Sequence, residues 1–222
     1  MTKIVAIFLV LFSSVAYADS KCAGLYPNGV VITVPNTVEL CNAEYVAVYN
    51  LSMKANIFSA EKFVGGKAHA ARVNDFKHDE RIPQENRAEL SDYLSTKTDV
   101  YDRGHMAPAA DQDTDAKVLA SFLLSNMTPQ QPTLNRISWK MLEESVREKA
   151  KGDTYVLTGA VYSTKPYTIG KNKIPVPSSY YKCVWYVKGS APSCFVAQNK
   201  PHAPVVASTL GEVVKIAGYT IK

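Results

Sequence analysis

The stretch from residue 134 to residue 150 constrains the fold most, because its pattern predicts one long amphipathic helix. At about 100° per residue, four side chains fall on a single apolar stripe of that helix: Trp139, Leu142, Val146 and Ala150. Such a stripe predicts a helix that packs against a hydrophobic surface, as a helix on a sheet does. The polar edge beside the stripe then faces whatever lies next to the helix.

That polar edge carries side chains suited to chemistry on phosphate. Asn135 begins the edge, and Glu143 and Arg147 follow it at multiples of four residues, so they form one slowly drifting row. Upstream, a segment that reads Asp-Arg-Gly-His-Met-Ala-Pro supplies Arg103 and His105. If this segment lies beside the helix, the five side chains form one site.

These residue types match what phosphodiester hydrolysis requires. His105 is suited to deprotonate water, because the pKa of imidazole lies near neutral pH. Arg103 and Arg147 offer planar sets of N–H donors that fit phosphate and stabilise the charge that builds up in the transition state. Asn135 offers a neutral oxygen to Mg²⁺, which keeps most of its waters and takes few protein ligands. Mn²⁺ accepts similar oxygen ligands and is expected to substitute.

Three blocks in order resemble the DNA/RNA non-specific endonucleases, secreted nucleases with a ββα-metal motif. The blocks are residues 102–108, residues 125–130 (Ser-Asn-Met-Thr-Pro-Gln), and the spacing Asn135-x3-Trp139-x2-Leu142-Glu143-x3-Arg147. The resemblance runs from about residue 47 to the C-terminus, which is most of the mature chain. It implies a metal-dependent enzyme that cuts both DNA and RNA with little sequence preference.

The resemblance also implies a role for each matching residue. His105 is similar to the general base, and Asn135 to the direct protein ligand of Mg²⁺. Glu143 corresponds to the residue that holds the water shell of the metal. Asn126 corresponds to a site residue that orients His105 or its neighbours.

The arginines correspond to phosphate-binding residues. Arg103 and Arg147 resemble the contacts to phosphate and to the transition state. Arg72, in the segment Ala-Arg-Val-Asn-Asp-Phe, resembles a further phosphate contact.

Residues 1–18 have the pattern of a secretory signal peptide. Lys3 gives a positive start, residues 4–12 are apolar, and Ala16 and Ala18 form a small-x-small cleavage site. We therefore expect an exported protein, periplasmic or secreted, whose mature part is a single nuclease domain at residues 19–222. An uncleaved anchor is the alternative, and no later stretch is apolar enough to span a membrane.

The cysteines predict disulfides, because their number is even in a chain with an export signal. Four cysteines allow three connectivities, and the spacing favours the local pairs Cys22–Cys41 and Cys183–Cys194. Zinc binding is the rival interpretation, but the paired C-x₂-C spacing of zinc sites is absent.

The remaining pattern predicts an α+β fold: an antiparallel sheet core with flanking helices and a ββα-metal motif at the site. Strands are expected at residues 30–34, 45–50, 122–124, 155–159, 184–187 and 195–196. Helical segments are expected at 84–94, 116–119 and 210–216, and a loop at 60–71.

Two acidic features favour ordinary structural interpretations. Asp111, Asp113 and Asp115 alternate, but the glycine and glutamate of a calcium loop are missing, so a solvated acidic turn is expected. Asp102 is expected to bond a nearby arginine or the backbone rather than substrate.

The net charge of +5 suits a polyanionic substrate without establishing one. Two other functions stay open at this point. One is a phosphodiesterase of another substrate class, and the other is an inactive relative that only binds nucleic acid.

Overall fold

The computed structural model describes residues 20–65, 70–71, 73–94 and 101–221. Within these residues the strands are β1 (Thr37–Cys41), β2 (Tyr45–Asn50), β3 (Ala55–Gly65), β4 (Asp102–His105), β5 (Met127–Gln130), β6 (Gly152–Val161), β7 (Thr168–Ile169), β8 (Ile174–Pro175), β9 (Ser179–Trp185), β10 (Ser193–Gln198) and β11 (Val206–Ser208). Seven of them form one antiparallel sheet in the order β1-β2-β3-β6-β9-β10-β11.

The helices cover both faces of this sheet. The α-helices of the described residues are α1 (Asp115–Ser121), α2 (Lys140–Lys149) and α3 (Leu210–Ala217), and a π-helical segment (Leu134–Trp139) leads directly into α2. The two that pack on the sheet are α2 on one face and α3 on the other. The predicted helix at residues 134–150 is therefore confirmed, with a wider first turn than an α-helix has. Short 3₁₀ turns connect several of the other elements.

The face under α2 forms one hydrophobic core. Its members include the predicted stripe of Trp139, Leu142, Val146 and Ala150, together with sheet residues Val156, Tyr180 and Val184. All of these side chains are buried. Their burial fixes the rotation of the helix, so the polar edge with Glu143 and Arg147 lies beside the core.

The opposite face is covered by α3 and by the segment that precedes β1. Val213 of α3 packs there with Tyr26, Phe58 and Trp185. The helix begins with a capping box between Thr209 and Glu212, which satisfies N–H groups that the first turn leaves unpaired. This layer supports the sheet from the side away from the polar edge of α2.

The strands β4 and β5 pair as a separate two-stranded ribbon, with His105 opposite Met127. The ribbon and the following helix give the order β, β, α, so the predicted ββα arrangement and α+β class are confirmed. Gly104 allows the close pairing, because a Cβ atom there would lie 2.2 Å from Gln130 Oε1. The neighbours of this glycine, Arg103 and His105, are thereby held on a rigid strand.

Two expected strands are wrong. Residues 30–34 make no ladder, and the apolar pattern there arises because Ile32 and Val34 pack onto the sheet face under α3. Residues 122–124 make only an isolated parallel bridge, Leu123 to Lys77, and otherwise close a turn after α1 with hydrogen bonds to Leu119 and Ala120. The burial of Phe122 gave the segment its strand-like character.

Two other expectations also need correction. Residues 84–94 form two 3₁₀ turns rather than one helix, since extended Arg87 and Glu89 separate them and Glu89 caps the second. Residues 60–65 continue β3 instead of forming a loop. Gly65 marks a close approach there, because a Cβ atom would meet Ala150 O at 2.2 Å.

Both predicted disulfides are confirmed: Cys22 pairs with Cys41, and Cys183 with Cys194. Cys183 and Cys194 are direct partners in the β9–β10 register. Since all four sulfurs are used, the zinc interpretation is wrong. No helix in the described part of the chain has the length and apolar character to cross a membrane. The predicted signal at residues 1–18 lies outside the described residues.

Candidate active site

A cleft of about 650 Å³ separates the β4–β5 ribbon from the helix at residues 134–149. Five of the predicted site residues line it: Arg103, His105, Asn135, Glu143 and Arg147. The ribbon contributes the first two and the helix contributes the other three, which confirms that the two sequence segments meet. Arg72 lies outside the described residues.

His105 ends β4, and its ring lies half-buried between aromatic side chains. The ring of Phe122 is 4.8 Å away and nearly perpendicular, and that of Phe76 is 5.9 Å away. Nε2 is in the protein interior, and the residue lines the cleft. Aromatic packing thus restrains the imidazole at the cleft wall.

Asn126 is fully buried behind the cleft and holds the turn that follows His105. Its Oδ1 accepts hydrogen bonds from Ala107 N at 3.0 Å and Ser59 Oγ at 3.1 Å. Its Nδ2 donates to Ala107 O at 2.8 Å and Ser121 O at 2.9 Å. With its amide occupied in this way, Asn126 is placed to orient the neighbours of His105 and does not line the cleft.

Asp102 fixes the direction of the Asn135 amide. Asn135 Nδ2 donates to Asp102 Oδ2 at 2.9 Å, and Arg136 forms a two-pronged ion pair with the same carboxylate. A carboxylate can only accept these bonds, so the NH₂ group of Asn135 faces Asp102 and its Oδ1 points elsewhere. The expectation that Asp102 bonds a nearby arginine is confirmed, and its contact with Asn135 was not foreseen.

Arg147 and Glu143 approach the cleft from α2 and are both largely shielded from solvent. Arg147 Nη1 lies 2.8 Å from Asp111 Oδ1. Burial lowers the pKa of the Arg147 guanidinium, but the charge and hydrogen bond of Asp111 outweigh it and leave the pKa raised. Arg147 therefore stays cationic at the cleft.

Arg103 extends over the ring of Phe76, with Cζ 4.2 Å from the ring centroid. Such stacking stabilises a guanidinium without neutralising it. In the part of the chain that the structure describes, no carboxylate forms an ion pair with Arg103. Its charge is consequently directed at the cleft.

The site includes residues that the sequence did not reveal. Asp111 is buried and pairs with Arg147, so the interpretation of a solvated acidic turn is wrong for this residue. Glu61 of β3 and Lys182 of β9 are also buried close to the site. Burial, and then the charge of Asp111, raise the pKa of Glu61 well above its usual range. No local motif marks these residues, because their contacts join distant segments.

The donors at the cleft fit a hydrated hard cation. They are the amide oxygen of Asn135 and the carboxylate of Glu143, both oxygen donors. Across the described residues, no group of three or more His, Cys, Asp or Glu side chains is arranged to hold a metal. Few oxygen ligands with room for water suit Mg²⁺ and do not suit a structural zinc ion.

Comparison with known proteins shows that the chain is similar to nucleases. The model of the DNA/RNA non-specific endonuclease family matches residues 24–221. A nuclease of Syncephalastrum racemosum is 31% identical over 190 residues, and nuclease C1 of Cunninghamella echinulata var. echinulata is 31% identical over 202 residues. Human mitochondrial endonuclease G is 28% identical over 189 residues.

These matches cover most of this chain and different shares of the relatives. The match to the Syncephalastrum nuclease includes 74% of this chain, the match to nuclease C1 79%, and the match to human endonuclease G 78%. The chain spans 58% of the Syncephalastrum nuclease, 79% of nuclease C1 and 63% of human endonuclease G. A chain in the crystal structure of the EndoG/EndoGI complex has a TM-score of 0.76 and 27% identity, over 90% of this chain and 91% of that chain.

Proposed function

The chain belongs to the DNA/RNA non-specific endonuclease family, and from that premise we propose that it is an exported, Mg²⁺-dependent endonuclease that cuts DNA and RNA with little sequence preference. The observation that carries this proposal is the cleft itself. One imidazole, one amide oxygen, one carboxylate and two guanidinium groups meet there from two separate segments.

The groups at the cleft are suited to phosphate rather than to bases. Arg103 and Arg147 are cations with N–H donors for phosphate oxygens. The other predicted residues serve proton transfer or metal binding. Side chains that contact only the phosphate backbone carry no sequence information, which supports low sequence preference; action on both DNA and RNA is proposed from the family.

In the proposed reaction, His105 takes a proton from the water that attacks the phosphorus, and the P–O bond to the leaving oxygen breaks. The turn held by Asn126 and the rings of Phe76 and Phe122 keep the imidazole in place while it does so. Arg103 and Arg147 stabilise negative charge on the phosphoryl oxygens, because their charges are in place before the reaction begins.

Asn135 would hold Mg²⁺ directly through Oδ1, and Glu143 would hold it through water. When bound, the ion supplies Lewis-acid stabilisation of the phosphate and of the leaving oxygen. Asp102 keeps Oδ1 of Asn135 available by occupying its NH₂ group. Mn²⁺ is expected to replace Mg²⁺, since it accepts the same oxygen donors.

Export and domain organisation are part of the same proposal. The signal pattern at residues 1–18 and two disulfides support an oxidising compartment, periplasmic or extracellular. Residues 19–222 would form the single mature nuclease domain. The N-terminal sequence of the protein recovered outside the cytoplasm is expected to begin at Asp19.

The test is cleavage of supercoiled plasmid and of a structured RNA, with Mg²⁺ and with excess chelator. We expect both substrates to be cut in Mg²⁺ and neither in chelator. Binding of both without cleavage would favour an inactive relative, and cleavage only of small phosphodiesters would favour another substrate class. Full cleavage of plasmid in chelator would contradict the metal-dependent mechanism.

A further inference from the structure

Lys182 lies at the centre of the sheet and is only 1% exposed. It belongs to β9, where Tyr180 and Val184 on the same face pack into the core under α2. A lysine is almost never buried this completely unless its charge is paired, because desolvating an ammonium group is costly. Lys182 therefore requires a partner whose interaction offsets the cost of desolvating its ammonium group.

A row of polar side chains crosses the sheet at this level. Ser59 of β3 pairs in register with Thr158 of β6, and Thr158 pairs with Lys182 of β9. Directly opposite residues on neighbouring strands point to the same face, which is the face covered by α2. At one end of the row, Ser59 Oγ donates to Asn126 Oδ1 at 3.1 Å, so this end supports the turn after His105.

The other end of the row reaches Glu143. Lys182 Nζ donates to Thr158 Oγ1 at 2.6 Å and lies 3.8 Å from Glu143 Oε1. The same nitrogen is 5.6 Å from the ring centroid of Trp139, one turn before Glu143 on the helix. The ammonium group is thus anchored on the sheet and lies beside the carboxylate at the cleft.

We propose that Lys182 is a positioning residue for the site: its buried charge, anchored by Thr158, holds the Glu143 carboxylate in the orientation that the cleft requires. This inference rests on the proposed function, in which Glu143 acts on the metal through water. Groups that orient metal-binding side chains commonly change metal affinity or activity by about 10- to 100-fold when they are removed.

A competing interpretation is that Lys182 serves only as the counter-ion of buried Glu61. The charge of Lys182 does act to lower the pKa of Glu61, but burial and Asp111 raise that pKa by more. Neither carboxyl oxygen of Glu61 has a hydrogen-bond partner among the described residues, and the ion pair of Lys182 there is with Glu143 rather than with Glu61. Glu143, in contrast, lies within ion-pair distance of Lys182 and lines the cleft.

The test begins with Lys182→Met, which keeps the length of the side chain and removes its charge. We expect kcat on a DNA oligonucleotide to fall about 10- to 100-fold, with KM for DNA nearly unchanged because the arginines remain. The Mg²⁺ concentration for half-maximal activity should rise. Binding of Mn²⁺ to the DNA-free protein, measured by electron paramagnetic resonance, should weaken by about tenfold or more.

Two double variants identify the partner of Lys182. Adding Glu143→Gln to Lys182→Met should cost little beyond the worse single variant, because residues that act through one another are not additive. Adding Glu61→Gln to Lys182→Met should leave the defect in place. Recovery of wild-type kcat and Mn²⁺ affinity in the Glu61 double variant would overturn the proposal and make Lys182 the counter-ion of Glu61.

Thr158→Val provides a second route if Lys182→Met fails to fold. It removes the 2.6 Å anchor but keeps the lysine, so the same changes are expected at a smaller, few-fold size. Wild-type Mg²⁺ dependence and Mn²⁺ affinity in this variant would overturn the inference. If the wild-type protein itself cuts no nucleic acid in Mg²⁺, the proposed function fails; if it does and the variants match it, only the role of Lys182 fails.

Discussion

At the scale of single residues, the site depends on acidic side chains that hold other groups in place. Asp102 fixes the amide of Asn135, and Asp111 pairs with Arg147. Both aspartates contact a residue that would meet metal or phosphate, and neither needs to contact substrate itself. Their loss should therefore change how much metal the site requires or how well it binds phosphate.

Asp102→Ala tests this idea at the metal site. Without the carboxylate, the Asn135 amide can rotate, so activity at limiting Mg²⁺ should fall about 10- to 100-fold and recover in part at high Mg²⁺. The measurement is plasmid cleavage across a Mg²⁺ titration. Glu144→Ala is the matched control, because it removes an exposed α2 carboxylate paired with Lys140 and should change little. Wild-type activity of Asp102→Ala at low Mg²⁺ would rule out the positioning role.

Glu61 predicts a pH dependence of stability. Its folded-state pKa lies well above the ordinary value of 4.5, so the unfolded chain loses its proton first as pH rises. The stability linked to neutral Glu61 is full below that ordinary value and is lost as pH rises towards the folded pKa. Relative to wild type, Glu61→Gln should gain at most about 1.4 kcal/mol of unfolding free energy per pH unit over this range.

Chemical unfolding between about pH 4.5 and pH 7 measures this slope. The exposed Glu80→Gln serves as the control variant and should show no such trend. A Glu61→Gln difference that stays constant with pH would show that Glu61 ionises normally in the folded protein.

At the scale of elements, the site forms where the β4–β5 ribbon faces the helix. The ribbon fixes Arg103 and His105, and the buried stripe of the helix fixes Glu143 and Arg147. The close pairing at Gly104 sets the spacing of the ribbon. The contact between Gly104 and Gln130 should therefore tolerate little added volume.

Gly104→Ala is expected to separate the ribbon, because the new Cβ would meet Gln130 Cβ at 2.6 Å as well as its Oε1. Overpacking of this kind costs about 1–3 kcal/mol, and displacement of Arg103 and His105 should reduce kcat at least about tenfold. Gly211→Ala is the control, since no atom lies within 4 Å of a Cβ at that position. Thermal melts and plasmid cleavage of the two variants decide the matter. Equal melting temperatures and equal kcat values for the two variants would show that the ribbon can accommodate a Cβ atom at residue 104.

The sequence predicted the elements whose signal is local. The helix at 134–150 follows from periodicity. The cleft residues follow from the short blocks around His105 and Asn135, and a third block supplies Asn126 behind the cleft. The contacts of Asp111 and Lys182 could not be predicted, because each joins segments far apart in the chain. The strand expected at 30–34 was wrong for a related reason: its apolar residues satisfy packing onto a sheet face, not pairing with a neighbouring strand.

At the scale of the whole molecule, stability and chemistry rest on different features. The cores on the two sheet faces and two disulfides hold the fold together. The proposed metal would be held directly by one amide and otherwise by water, with Glu143 acting through that water. Weak binding to the native state adds little stability, so the ion should be required for cleavage and not for folding.

A thermal melt with and without chelator tests this separation. The melting temperature should hardly change, whereas plasmid cleavage should stop and return at once when Mg²⁺ or Mn²⁺ is added. Asn135→Ala should lose activity at low Mg²⁺ and melt like the wild type. A fall of many degrees on chelation would mean that the metal is structural.

The kcat of His105→Ala tests whether His105 activates water in the proposed metal-dependent site. The measurement is plasmid cleavage at saturating Mg²⁺ and neutral pH, alongside DNA binding and a thermal melt. We expect kcat to fall about 10²- to 10⁴-fold, with DNA binding and melting temperature nearly unchanged. A folded variant that keeps more than about a tenth of the wild-type kcat would contradict this expectation.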